Sequence, residues 1–297
     1  MTLICFAAVA AIAVPCWTHG TAETTLTTSV TGSADECAAE AIPEGGAALR
    51  VMTLNVAHGR GDGLHQALQK RTTIQSNLNG IADVLTRENP HVVALQEADG
   101  PSVWSGKFDH VQHLAERARF SYSCRGEHVN GMRLSYGTAL LSQLPLNESR
   151  SITFPPSPPT FSKGFVVSTL QWPGRPGQDV DVVSVHLDFA RKSVRKKQVR
   201  KMIAELSERE NPLIIMGDFN CEWTAEERSL RTLAKKLDMA AYQPKAENMS
   251  TFPKLKKRLD WILVSPELEF VEYQIIPDTL SDHHGVLALL RIADEKK

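Results

Sequence analysis

Eight short runs rich in Val, Ile and Leu recur along the chain, at 49–54, 92–96, 138–142, 165–170, 180–185, 213–216, 259–264 and 286–290. Runs this short and this apolar suit strands buried on both faces. Longer stretches with helical spacing stand between them, at 66–88, 110–117, 193–208 and 225–237. Pro90 and Pro212 each stand just ahead of a strand and stop the helix before it. Gly174 and Gly177, within 172–178, suit a hairpin between neighbouring strands. Such mixed connections predict an α/β protein with two sheets packed face to face and helices outside.

The chain is 297 residues long, with no internal repeat and no second linker, which predicts one domain over 48–293 and a polar tail at 294–297. The net charge of −1 selects no partner, but its distribution is uneven. All 33 Lys and Arg stand at or after Arg50 and five of the 34 acids stand before it, so the folded part carries an excess of about four positive charges. Residues 3–15 form an apolar run too short to span a bilayer, with small residues Gly20, Thr21 and Ala22 after it. They are expected to be a secretory signal over 1–22, and the protein to be exported, although no Lys or Arg precedes the run. Residues 23–47, rich in Thr, Ser, Ala and Gly, are expected to be a flexible linker. Cleavage after Ala22 leaves Cys37, Cys124 and Cys221, an odd number that allows at most one internal disulfide, with Cys37–Cys124 a candidate.

What closes each strand carries the functional signal. The ends read Thr53-Leu54-Asn55, Leu95-Gln96-Glu97, Val185-His186-Leu187-Asp188 and Gly217-Asp218-Phe219-Asn220. Arg258-Leu259-Asp260 leads into a seventh strand, and Ser281-Asp282-His283 precedes the last. One Asp or His at a strand end is ordinarily a turn residue or a satisfied core group. Six segments doing the same thing point to a shared site, because burying that many polar groups is costly unless they satisfy one another or a metal.

These pieces, in this order, resemble the endonuclease/exonuclease/phosphatase superfamily, which includes pancreatic-type deoxyribonucleases, abasic-site endonucleases, neutral sphingomyelinases and inositol polyphosphate phosphatases. The resemblance covers about Arg50 to Leu290. It implies a four-layer sandwich, two central mixed β-sheets flanked by helices. It is also similar to a bacterial exported branch with a His-Leu-Asp motif followed on the next helix by a Ser, an Arg and a Gln, here His186, Asp188, Ser193, Arg195 and Gln198. His284-Gly285 departs from the pattern, where many members carry other residues and a Pro.

The resemblance implies a phosphoesterase assisted by Mg²⁺ or Mn²⁺, with Asn55, Glu97 and Asp282 as hard oxygen donors near the metal. Asp218 would activate a water held by Asn220, His186 and His283 would donate to phosphate oxygens, and Asp260 would orient His283. No His-Glu-x-x-His or paired-Cys spacing argues for zinc. A binding protein that has lost catalysis is the non-enzyme alternative, yet none of the chemical residues is missing.

Arg195, Lys196, Lys197 and Gln198 are expected to bind substrate, and the basic run from Arg191 to Lys201 favours a phosphodiester on nucleic acid, with a solvated helix face as the other reading of that run. A lipid head group, as for a sphingomyelinase, and a phosphomonoester are the alternatives. No stable protein partner is implied, and a monomer is expected. His58, Arg60 and His65 follow Asn55 in a Gly-rich turn and read as loop solvation, with substrate contact as the other reading. Phe154, Phe161 and Phe165 flank the Pro-rich stretch 155–159 and read as core aromatics beside a stiff loop, with a membrane-touching loop as the other reading.

Overall fold

The computed structural model describes residues 23–31 and 48–294. The expected signal at 1–22, most of the expected linker at 32–47, Cys37 and the end of the tail lie outside the described residues. Cys124 and Cys221 are buried with free thiols.

Two seven-stranded sheets form the centre. Strands β1 to β14 are Glu23–Thr25, Ser29–Val30, Leu49–Asn55, Val92–Asp99, Tyr122–Gly131, Leu134–Ser142, Asn147–Thr153, Gly164–Gln171, Asp179–His186, Leu213–Asp218, Ala240–Ala241, Asp260–Val264, Leu268–Ile275 and Val286–Ile292. One sheet runs β1-β7-β8-β9-β10-β12-β11 and the other β13-β14-β3-β4-β6-β5-β2. Each contains one parallel pair, β9 with β10 and β3 with β4, amid antiparallel neighbours. Helices α1 (Arg71–Glu88), α2 (His110–Arg117), α3 (Lys192–Leu206) and α4 (Ser229–Lys236) cover the outer faces.

Alternation along β3 sorts its side chains between layers. Leu49 and Val51 face the other sheet, packing with Val182, Ile214 and Ile262. Met52 and Leu54 face outward, onto Ile74, Leu78, Ile81 and Leu85 of α1, whose spacing of three and four makes one apolar stripe. The other sheet packs Val183, Val185 and Ile215 against Val199, Met202, Leu230 and Leu233 of α3 and α4. The expected four layers are present. Asn89 ends α1 in the left-handed conformation and Asp109 caps α2 by accepting from the Gln112 amide, so both helices stop and start where local chemistry directs.

Part of the expected linker is ordered instead. Glu23–Thr25 pairs with β7 on the edge of one sheet, and Ser29–Val30 pairs with β5 on the edge of the other. Edge strands offer unpaired backbone groups, and a Thr-rich extended segment can satisfy them without burying much apolar surface.

Candidate active site

The two parallel pairs deliver the site. Asn55 ends β3 opposite Gln96 of β4, and His186 ends β9 opposite Asp218 of β10. Asp260 opens β12 directly across from Asp218. At this end the core between the sheets turns polar: Gln96 Nε2 donates to Ser184 Oγ across the sheets at 3.1 Å, and Ser184 Oγ donates to Leu95 O at 2.9 Å.

Local backbone aims the side chains. Pairing of β4 with β6 shifts between Gln96 and Ala98, and Glu97 takes φ 51° there. A bulge of this kind re-aims one side chain out of the strand's alternation. Ala57, His58 and Asn220 also have positive φ, at 48°, 55° and 50°. Four non-glycine residues held in the left-handed region around one site are strain maintained by the surrounding fold. Gly217 (φ 152°) lets β10 approach β9, because a Cβ there would lie 2.0 Å from Val185 O.

Asp218 is the hub. Its Oδ1 accepts from the Asn220 amide at 2.8 Å, and its Oδ2 accepts from Asn55 Nδ2 at 3.0 Å and Asn220 Nδ2 at 3.1 Å. His186 Nε2 and His283 Nε2 stand 3.5 and 3.8 Å from the same oxygen. Asp260 Oδ2 bonds His283 Nδ1 at 2.8 Å, leaving Nε2 toward Asp218. Ser281 Oγ donates to Asn55 O at 2.6 Å and accepts from the His283 amide at 3.0 Å, fixing the last loop to β3.

Burial pushes the Asp218 carboxyl up to about 7, the neighbouring His283 charge opposing. Burial alone would lower His283, but the Asp260 and Asp218 carboxylates outweigh it and raise the imidazole to about 10. Desolvation alone would raise Glu97, whose side chain is 20% exposed, but the charges of His58, Lys163 and Arg60 hold it well below the usual carboxylate range. Burial and the Lys163 charge keep His186 neutral well below its ordinary value.

The donors suit a hard divalent cation. Glu97 and the Asn55 amide oxygen are oxygen ligands. Asp218, Asp260 and His283 offer ligand atoms all within 4.8 Å of one another. Asp260 Oδ1 is buried with no hydrogen-bond partner, an acceptor left for a cation or a donor.

A model of the endonuclease/exonuclease/phosphatase family matches residues 52–283. The chain belongs to that family. Among solved structures it is similar to an endonuclease/exonuclease/phosphatase from Beutenbergia cavernae, with 20% identity, TM-score 0.66, and 83% of this chain and 72% of the other covered. The human Nocturnin catalytic domain with bound sulfate matches at 18% identity and TM-score 0.64, covering 90% and 98%. Zebrafish (D. rerio) TDP2 complexed with a single-strand DNA product matches at 18% identity and TM-score 0.61, covering 82% and 99%. At such identities the likeness is one of fold. No curated protein matches the chain.

The fold brings Asn55, Glu97, His186, Asp218, Asn220, Asp260 and His283 to one end of the sandwich. Asp282 Oδ2 accepts from Arg60 Nη2 at 2.6 Å. Arg195 and Gln198 are not free for substrate as expected. Arg195 is buried, donating to Glu227 at 2.6 Å and to Asp188 O at 2.8 Å, and Gln198 accepts from the Asp188 amide at 2.8 Å. Asp188 itself closes the turn ahead of α3 by accepting from the Ala190 and Arg191 amides at 3.0 and 2.7 Å. Lys196 and Lys197 are exposed on α3 beyond its first turn, and Ser193 is exposed as well.

Three side chains outside the expected site set join the site. His58, expected to be solvated, is buried between Asp99 (2.6 Å) and Glu97 (3.3 Å). Arg60 holds Asp282. Lys163, which no motif marks, is buried with Nζ 3.2 Å from His186 Nδ1 and 3.8 Å from Glu97 Oε1. Its one sequence trace is a basic residue just before a strand, and only the pairing of Gly164 with His186 reveals where it points.

Proposed function

We propose that this protein is a divalent-metal-dependent phosphoesterase that cleaves a phosphodiester by attack of water. The observation that carries the reading is the Asp260–His283 pair, 2.8 Å apart, set beside an Asp218 held by two asparagines. As carboxylate, Asp218 takes the proton of the attacking water, and Asn55 and Asn220 fix the direction in which its oxygens point. Charged His283, its tautomer set by Asp260, donates from Nε2 to a phosphate oxygen. Neutral His186 is positioned to donate to the same group, and the Lys163 ammonium adds positive charge where the phosphate's negative charge builds.

Glu97, Asn55 and Asp282 would hold Mg²⁺ or Mn²⁺. Bound there, the ion supplies Lewis-acid stabilisation of a phosphate oxygen. The test is hydrolysis of bis(4-nitrophenyl) phosphate in Mg²⁺, in Mn²⁺ and in excess chelator. Turnover that needs the ion supports the reading, and full turnover in chelator refutes the metal assignment.

Nucleic acid is a second reading. It is supported by the exposed Lys196, Lys197 and Arg200 on α3 and by the DNA product in the TDP2 structure of the same fold. Export of the mature protein, proposed from its apolar N-terminal run, would bring it to extracellular nucleic acid or to lipid surfaces.

A further inference from the structure

Loops leave the two sheets at both ends, and the ends differ in what they show to water. The active-site end carries 56–70, 100–109, 132–133, 154–163, 187–191 and 242–259. Eight large apolar side chains are exposed among the described residues, and six belong to this end: Leu64 (94%), Leu68 (80%), Leu255 (62%), Met132 (58%), Phe189 (58%) and Val103 (39%). The other two, Val30 and Val271, sit on edge strands β2 and β13. The opposite end, with 89–91, 118–121, 143–146, 172–178, 207–212, 237–239 and 265–267, carries none of the eight. An unspecialised surface scatters exposed apolar residues rather than gathering them at one end.

These loops are tied into a rim around the site. Lys254 Nζ lies 2.5 Å from Asp62, joining the Leu255 turn to the Leu64 loop. His65 and Trp104 rings meet at 6.2 Å, and the Val103 amide donates to Arg133 O at 3.0 Å beside Met132. Trp104 meets Phe161 at 5.9 Å, and Thr160 holds Asp188 at 2.7 Å, next to Phe189. Inside the rim lie Glu97, in contact with His58, and His283, whose ring meets Phe252 at 4.9 Å. Exposed Lys70, Lys107, Arg133 and Lys256 are interleaved with the apolar tips.

We propose that this end seats on an anionic phospholipid bilayer, presenting the site to phosphodiester head groups. The inference rests on the phosphoesterase reading for the chemistry, but not for the docking. The apolar side chains stand singly on separate loop tips, so each can enter the interface among head groups on its own. The lysines and arginines between them stay at the level of the anionic phosphates. A nucleic-acid backbone would use those charges but gains nothing from leucines at 94% and 80% exposure. A protein partner would need a contiguous apolar face rather than tips spaced around a mouth.

The test is sedimentation of the full chain with vesicles of phosphatidylcholine and phosphatidylglycerol, beside a variant carrying Leu64→Ser, Leu68→Ser and Leu255→Ser. Each fully inserted leucine is worth roughly tenfold or more in partitioning, so the variant's vesicle binding should fall by on the order of 10²-fold or more. Its cleavage of soluble bis(4-nitrophenyl) phosphate should equal that of the wild type, because none of the three residues belongs to the catalytic cluster. Wild type that ignores vesicles, or a variant that binds them equally well, overturns the proposal. So does wild type that captures plasmid DNA in preference to vesicles. Vesicle binding through these tips by a protein that cleaves no phosphoester upholds the docking surface and overturns the phosphoesterase reading alone.

Discussion

Asn55, at the end of one sheet, donates to the carboxylate of Asp218 at the end of the other, 3.0 Å away. The proposed general base is therefore aimed by a residue from the opposite half of the sandwich, and the two sheets must hold their packing to keep this geometry. Asn55→Ala should lower the rate of diester hydrolysis by about 10- to 100-fold. It should also cost about 1–3 kcal/mol of stability, since Asp218 loses one of its two side-chain amide donors and the buried Ala57 amide loses its acceptor. Paired measurement of turnover and denaturant midpoint checks both. An unchanged rate would remove Asn55 from the site.

The pH profile should be bell-shaped. In the proposed mechanism Asp218 works as a carboxylate, and burial raises it to about 7, so activity should climb as pH rises through neutrality. In the same mechanism His283 works as an imidazolium, and its proton leaves as pH rises through about 10, so activity should fall there. Removing the charged partner with Asp260→Asn should shift the alkaline limb to lower pH. An NMR titration of the His283 ring in wild type and variant gives the same comparison without turnover; an unmoved ring would contradict the pair.

Arg195 and Lys163 test the reassignments. Arg195→Ala leaves Glu227 buried without its partner, which should cost about 3 kcal/mol or more in stability. Turnover and KM per folded molecule should stay close to wild type, because the side chain is turned inward to Glu227 and Asp188. A large rise in KM with stability unchanged would restore it as a substrate residue.

Lys163→Met should behave in the opposite way. The ammonium is buried near Glu97 and His186, so a methionine of similar length should fold at least as stably. The rate should drop on the order of 10²-fold, the loss expected when one charge-stabilising donor is removed. Thermal unfolding and turnover, measured together, separate this outcome from simple misfolding.

Legibility in the sequence followed burial. β3, β9, β10 and β12 are covered on both faces along most of their length and read as runs dominated by Val, Ile, Leu and Met. β5 and β13 did not stand out, because one face of each is partly open and polar residues alternate with apolar ones. β1 and β2 bury almost nothing and owe their order to hydrogen bonds at sheet edges. Residues of the site that close a strand were visible through their neighbours in the chain. Lys163 and His58 were not, because their partners meet them only through sheet pairing and a strained turn. Arg195 sat at a motif position, and its partner Glu227 lies 32 residues further on with nothing in the sequence to link them.

The central claim, metal-assisted hydrolysis with Asp218 as base, is tested most directly by bis(4-nitrophenyl) phosphate turnover in Mg²⁺ for wild type, Asp218→Asn and Glu97→Gln, each repeated across a Mg²⁺ titration. Asp218→Asn should lose on the order of 10²-fold or more in rate at saturating metal. Glu97→Gln should need more metal to reach a lowered maximum, because a charged hard ligand has become neutral. Wild-type turnover indifferent to metal, or an Asp218→Asn variant as fast as wild type, would contradict the account.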